Sequence, residues 1–299
     1  MRSDHHIALN IRDEFAPLTQ VVLGRAEGYH RNPERVEVVN ATQARTAEDQ
    51  GHPTEAELIP EFKAFQDAMT RHGVSVHIPD LAPGSVQDQT CPRDIGFVIG
   101  ETFVRAGMRH ASRIEEIEGI EPLLARTQGR MVPVPDGIAL EGGDVIVAGP
   151  RVYVGHGQRS DIEGAAFLAA RFGTDWEIVP IPTRWGQTDA DVLHLDCTFN
   201  PLGLGHALIF PDGMAEIPVA IREEYQWLEV TFAESCALAT NVLSIAPDTV
   251  LARDHPDCAR VNGLLRKAGY TVIELGFDAV PGTGGSFRCA TLPLERPGD

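Results

Sequence analysis

The sequence has no cysteine pair at CxxC spacing, no long apolar run, no basic stripe and no linker-like stretch. Each absence narrows the chemistry. Five cysteines (Cys91, Cys197, Cys236, Cys258 and Cys289) are scattered and odd in number, so neither a disulfide framework nor a structural zinc site is expected. Most should be small buried hydrophobes, with at most one or two chemically special. No run approaches the ~18 apolar residues of a membrane span, and the N-terminal MRSDHHIALNIRDEF lacks an apolar secretory core. The expectation is a cytoplasmic protein with no membrane partner. Acids number 43 against 25 bases, a formal net charge of −18. Phosphate binding needs a basic surface, so a nucleic-acid partner is not expected either. An acidic field suits cationic ligands, although solubility alone would explain it. No change of composition marks a boundary, and residues 1–299 read as one catalytic domain, compatible with a homo-oligomer.

What is present is a recurring order of elements. Ile95–Ile99 and Thr102–Ala106 read as strands, Ser112–Leu124 as a helix and Met131–Val134 as a third strand. The order returns in Val145–Ala148, Arg151–Val154, a helix over Asp161–Arg171 with Asp161 as N-cap, and Trp176–Ile181. It returns again in His194–Asp196, His206–Phe210, Val219–Tyr225 and Trp227–Thr231. A fourth set is Asn241–Ile245, Thr249–Ala252, Asp257–Lys267 and Thr271–Glu274. A less regular first set holds Thr19–Gly24, the helix Thr54–His72 and Val74–His77, with Ser286–Leu292 left over as a closing strand. Units of about 50 residues suggest a ring or array, and the leftover strand would close it. A one-off α/β sheet is the other reading.

Polar residues fall at one phase of this repeat. Asp94, Asp144 and His194 are spaced 50 residues apart; Asn241 follows after 47 and Cys289 after 48. Around an axis these positions would converge on one cleft, bringing together a nucleophile, a base and charged groups. The glycines of GTGGSFRCATLPL place Cys289 beside a flexible turn. A lone cysteine in an apolar strand is more often simply buried, but the turn and the phase with His194 favour a thiolate nucleophile. In His194-Leu195-Asp196 an extended backbone would put both polar side chains on one face. That pair could do acid–base work, cap a turn or bind a metal, metal being the weakest option for want of a second ligand pair. Glu141-Gly142-Gly143-Asp144 offers two carboxylates suited to a planar guanidinium, or else a solvated turn. Asp94 could pair with its neighbour Arg93. Arg159 could hold a substrate carboxylate or pair with a surface acid.

The segments LEGGDVIV, HLDCTFN, CPRDIGFVIG and GGSFRCATLPL together resemble the guanidine-modifying enzyme superfamily, which holds arginine deiminases, dimethylarginine dimethylaminohydrolases and amidinotransferases. The resemblance runs from about Cys91 to the C-terminus, with the motifs in the family's order. It implies a five-bladed, pseudo-symmetric α/β propeller of ββαβ units, in agreement with the repeat. By the same resemblance Cys289 is the nucleophile and His194 the general acid/base. Asp94, Glu141 and Asp196 bind the guanidinium, with Glu141 part of the catalytic set. Asp144 supports them and Arg159 matches an arginine of the hydrolases; Asn241, by its phase in the repeat, is placed in the substrate-binding set. No cofactor or metal is implied. The expected reaction is hydrolysis of the guanidino group of arginine or a derivative through an amidino-thioether on Cys289. EGGD, GHGQRSD and the length resemble the hydrolases, whereas HLDCTFN and PRDIGFVIG resemble the amidinotransferases. Transfer to an amine acceptor is therefore the alternative, and a non-catalytic binder of a cationic amino acid a remote third. The N-terminal third, with VVNATQ, lies outside the resemblance and is read as substrate-selecting loops.

Overall fold

Runs such as Phe97-Val98-Ile99 and Val145-Ile146-Val147 are apolar at consecutive positions, the pattern of short strands covered on both faces. In the computed structural model, which describes residues 7–32, 36–49, 51–186 and 191–298, they are buried strands of small sheets. β1 (Gln20–Leu23) and β2 (Ser75–His77) come first. β3 (Gly96–Ile99), β4 (Thr102–Arg105) and β5 (Arg130–Pro133) form a second sheet, and β6 (Val145–Ala148), β7 (Arg151–His156) and β8 (Glu177–Pro182) a third. β9 (Phe199–Pro201), β10 (His206–Ile209) and β11 (Gln226–Glu229) form the fourth, and β12 (Leu243–Ala246), β13 (Thr249–Arg253) and β14 (Thr271–Leu275) the fifth. In each of these four the middle strand runs antiparallel to its predecessor and parallel to its successor. Antiparallel neighbours need only a tight turn, whereas a parallel neighbour needs a crossover. Gly100 (φ +56°) and Gly149 (φ +60°) make two of the tight turns in a region glycine enters freely. The helices Ile162–Phe172, Val219–Glu224 and Ala259–Lys267 lie in three of the crossovers.

The last strand, β15 (Thr291–Glu295), returns to the start of the chain. It pairs antiparallel with β1, Leu23 opposite Thr291, while β2 pairs parallel with β1. The leftover strand thus completes the first sheet, as the repeat predicts. Apolar clusters link one sheet to the next. Phe97 and Val104 pack with Val145 and Val154, Ile146 and Tyr153 with Phe199 and Ile209, and Leu208 with Val250 and Ala252. Leu251 of the fifth sheet packs with Val21 and Leu23 of the first, and Val22, Leu292 and Leu294 join the cluster around the second. The fold is mixed α/β with small sheets. No helix among the described residues is long and apolar enough to cross a membrane.

Four local expectations are corrected. Ser112–Leu124 is a 3₁₀ stretch, Ala111–Gly119, followed by the one-turn helix Glu121–Leu124. A three-residue turn brings Arg113 over Glu116, where they form a bidentate pair, and Pro122 starts the next turn. Asp161 stands at the N-cap of Ile162–Phe172 but makes no capping bond. Its carboxylate instead accepts from Ala139 N and Arg109. His194 is extended, but Leu195–Cys197 is a 3₁₀ turn, so His194 and Asp196 do not sit on one strand face. The closing strand begins only at Thr291, because residues 286–290 form a turn held by Ala290 N on the Ser286 carbonyl (2.8 Å). Two helices went unforeseen: Ala41–Asp49, and Phe232–Cys236, whose capping box joins Thr231 and Glu234.

Candidate active site

Asp94, Asp144, His194, Asn241 and Cys289 each stand within five residues of the start of the antiparallel edge strand of their sheet (β3, β6, β9, β12 and β15), and all are buried. Glu141 lies at the centre of their contacts. Its Oε2 meets His194 Nε2 at 2.8 Å and accepts from Arg159 Nη1 at 3.0 Å, and its Oε1 accepts from Arg109 N at 3.0 Å. The other imidazole nitrogen, Nδ1, is 3.7 Å from Asp94 Oδ1; both atoms are buried without a hydrogen-bond partner among the described residues. Asp94 Oδ2 accepts from Arg113 Nη1 at 2.7 Å. The glycine pair makes this approach feasible. A Cβ on Gly143 would lie 2.7 Å from the His194 ring and 3.0 Å from Asp94 Oδ1, and one on Gly142 would overlap the Arg93 carbonyl.

Burial would lower the pKa of His194, but Asp94, Asp144 and the Glu141 hydrogen bond outweigh it and raise it to about 9. Burial would raise Glu141, yet the His194 hydrogen bond and the Arg159 charge hold it well below the usual carboxylate range. This is an imidazolium held between carboxylates. The ligand atoms of Asp94, Glu141 and His194 all lie within 4.8 Å of one another. Their closest approach is a direct 2.8 Å hydrogen bond, which is ion-pair geometry rather than ligation of a shared centre. Asp196, weighed with His194 as a metal pair, is outside the group.

Cys289 sits in a turn anchored from two sides. Asn241 Oδ1 accepts from Arg288 N and Cys289 N, both at 3.1 Å, and the Cys289 carbonyl accepts from Arg93 N at 3.3 Å. A single point, the position of a Cβ on Gly285, lies 2.7 Å from Cys91 Sγ and 3.5 Å from Cys289 Sγ. Burial pushes the Cys289 thiol well up, and Asp196, Cys197, Cys91 and Asp94 push the same way. A cleft of about 570 Å³ lies against the site, with Asp88, Cys91, Asp94, Arg113, Glu116 and Arg159 among its lining residues. A larger one, about 1050 Å³, shares Asn40, Leu193 and Gly284 with it.

The polar set divides by what each side chain meets. Asp144 accepts from Leu195 N (2.8 Å) and Ser160 Oγ (2.6 Å), so it ties the His194 turn to the Glu141 loop. Asn241 holds the Cys289 turn by its carbonyl oxygen, while its Nδ2 is buried with no partner among the described residues. Arg159 bonds the buried Glu141 and the Val39 carbonyl (2.7 Å), the latter within the segment VVNATQ. Asp94 pairs with Arg113 instead of Arg93, which turns towards Glu14 (3.6 Å). Asp196 Oδ2 takes Arg288 Nε at 3.2 Å. Arg113, Arg288 and Glu14 were missed. The Arg113–Glu116 spacing was visible as a helix-face pair, but nothing in sequence marks it as buried.

The family described as N,N dimethylarginine dimethylhydrolase, eukaryotic, matches residues 27–296. The uncharacterized protein YkgA of Bacillus subtilis (strain 168) is 33% identical over 286 residues, covering 95% of this chain and 94% of its own. Among solved structures, SxtG, an amidinotransferase from Microseira wollei in the saxitoxin biosynthetic pathway, superposes with a TM-score of 0.82 at 18% identity, covering 97% of this chain and 98% of its own. The N-terminal domain of ArgZ, an arginine dihydrolase from the ornithine–ammonia cycle in cyanobacteria, gives 0.79 at 20%, covering 93% and 98%. At such identities these two structures speak for the fold alone. The family match over nine-tenths of the sequence carries more: the chain belongs to the guanidino-modifying superfamily of dimethylarginine dimethylaminohydrolases and amidinotransferases, enzymes that act on the carbon–nitrogen bonds of guanidino compounds.

Proposed function

We propose that this chain hydrolyses the guanidino group of arginine or an arginine derivative through a covalent amidino-thioether on Cys289. The observation that carries the reading is the pair of buried atoms Asp94 Oδ1 and His194 Nδ1, 3.7 Å apart and without hydrogen-bond partners among the described residues, with Asp94 lining the cleft. Buried polar groups are normally satisfied, and a planar cation with several donors would satisfy the carboxylate. Asp94 and Asp196 receive the guanidinium. The Cys289 thiolate attacks its central carbon, forming the C–S bond, and the C–N bond to the departing amine breaks as His194 donates a proton to that nitrogen. Neutral His194 then takes a proton from water; the oxygen adds to the same carbon, the C–S bond breaks, and a ureido product leaves with the thiolate restored. Glu141 keeps the imidazole oriented throughout.

The five sheets are read as blades of one ring within a single catalytic domain. Apolar clusters bridging each sheet to the next, and β15 returning to β1, support that arrangement. Amidino transfer is the second reading, and the larger cleft favours it, since the shared Asn40, Leu193 and Gly284 would let an amine acceptor reach the adduct. The test is mass spectrometry of products from arginine, its methylated forms, agmatine and guanidino acids, each with and without glycine, lysine or ornithine. A ureido product without an acceptor is expected. Product only with an added amine would establish transfer, and neither product nor Cys289 adduct would overturn the substrate class.

A further inference from the structure

Two buried guanidinium groups brace the turn that carries Cys289. Arg93 donates its backbone N–H to the Cys289 carbonyl and its Nε to the Arg288 carbonyl, each at 3.3 Å. Arg288 is the residue before Cys289. Both send Nη1 to the same Glu14 oxygen, Arg288 at 2.7 Å and Arg93 at 3.6 Å, and Arg288 Nε adds Asp196 at 3.2 Å. All four side chains are at most 5% exposed. The Nη2 atoms of Arg93 and Arg288 have no partner among the described residues. Arg296, also in this cluster, gives Nη1 and Nη2 to the Ala16 and Ser244 carbonyls and faces Asp13 as well as Glu14.

The charges do not balance once a substrate arrives. If a guanidinium occupies Asp196, Arg93 and Arg288 are left to share Glu14. Buried cations without a counter-charge are costly, and the ionisable group on the turn they brace is the Cys289 thiol. We propose that Arg93 and Arg288 supply the counter-charge of the Cys289 thiolate and act as positioning residues for the nucleophile. The inference rests on Cys289 being that nucleophile. The other groups facing the thiol are Asp94 and Asp196, whose negative charge opposes ionisation, and the thiols of Cys91 and Cys197. The coupling to Cys289 is seen from the other side as well, where its charge favours the protonated form of both arginines. A bound cation neutralises the two aspartates; the arginine field then prevails, and the thiol proton leaves to solvent.

The test is site-resolved alkylation of the full-length enzyme with iodoacetamide at pH 9, with exposed Cys236 as internal reference. In Arg93→Gln and Arg288→Gln the Cys289:Cys236 rate ratio should fall about tenfold, the effect of one pKa unit, and the lysine variants should keep it. A purely structural role predicts the opposite sign, because a loosened turn exposes a buried thiol and speeds its alkylation. Unchanged or raised ratios in the glutamine variants, or an equal loss with lysine, would overturn the inference. Should the glutamine variants not fold, the lysine variants decide: a retained ratio supports the proposal and a tenfold loss ends it. Wild-type turnover of guanidino compounds reports separately on the nucleophile itself. Its absence, with no adduct, would sink that reading, whereas unaffected variants of an active enzyme would sink only this one.

Discussion

At the scale of single residues the site is a chain of charges, each set by its neighbour. Replacing Cys289 by serine changes little volume in a buried, hydrogen-bonded turn, so Cys289→Ser should keep its circular dichroism and melting temperature while losing turnover. Turnover near the wild-type rate would remove Cys289 from the mechanism. His194 carries the pH dependence. Its folded pKa is raised from 6.5 to about 9, so the folded state binds the proton more tightly than the unfolded chain. That stabilisation is complete below about 6.5 and is lost as pH rises through about 9. The urea midpoint should therefore fall between pH 7 and pH 10, and fall less in His194→Asn. Equal falls in both proteins would show that the imidazolium contributes nothing. The same variant lacks the proton donor for the departing amine and the base for water, so thiol attack should be slow and release should stall, and the adduct should accumulate in its intact mass.

Elements matter here mainly as devices for bringing backbone close to the site. The Gly142–Asp144 turn before β6 lies so near His194 and Asp94 that a methyl group has no room. Gly143→Ala should cost roughly 1–3 kcal/mol as an overpacking change and lower kcat more than it raises KM, since it displaces the acid/base. A folded Gly143→Ala enzyme with wild-type kinetics would mean that the turn shifts without disturbing the imidazole. The EGGD motif was legible as two carboxylates around a flexible pair, and its acids do reach the site. The spacing alone did not separate their roles; only the resemblance put Glu141 in the catalytic set and Asp144 behind it. Glu141 meets His194, whereas Asp144 is consumed by Leu195 N and Ser160. The error over His194 and Asp196 has the same origin: alternation on a strand was assumed where a 3₁₀ turn was formed. Period-two reasoning holds only while the backbone stays extended.

The whole molecule joins its first strand to its last. Truncation before Thr291 would remove β15 and expose the edge of β1 together with Val22 and its apolar neighbours. Such a chain should lose cooperative unfolding and bind hydrophobic dyes, even though Cys289 is retained. A cooperative melt close to that of the full chain would show that the first sheet stands without its C-terminal strand. The buried Arg296 and its bonds to the Ala16 and Ser244 carbonyls tie the same end to two other segments, which adds to the expected loss.

The sequence by itself determined the order of elements, the ~50-residue period and the phase at which the polar residues recur, because hydrophobic patterning and turn glycines are local signals. Those signals also placed Cys289 after a glycine turn and predicted the pairing of the C-terminal strand with the start of the chain. Tertiary structure alone decided which charges meet. That Arg113 takes Asp94, that Arg288 takes Asp196, and that Glu14 from the N-terminal segment serves two arginines are contacts across 19, 92 and up to 274 residues. Ion pairs carry no periodicity, and a charged side chain reads as solvent-facing until the fold closes over it. Burial then turns such residues into the strongest electrostatic influences on the site.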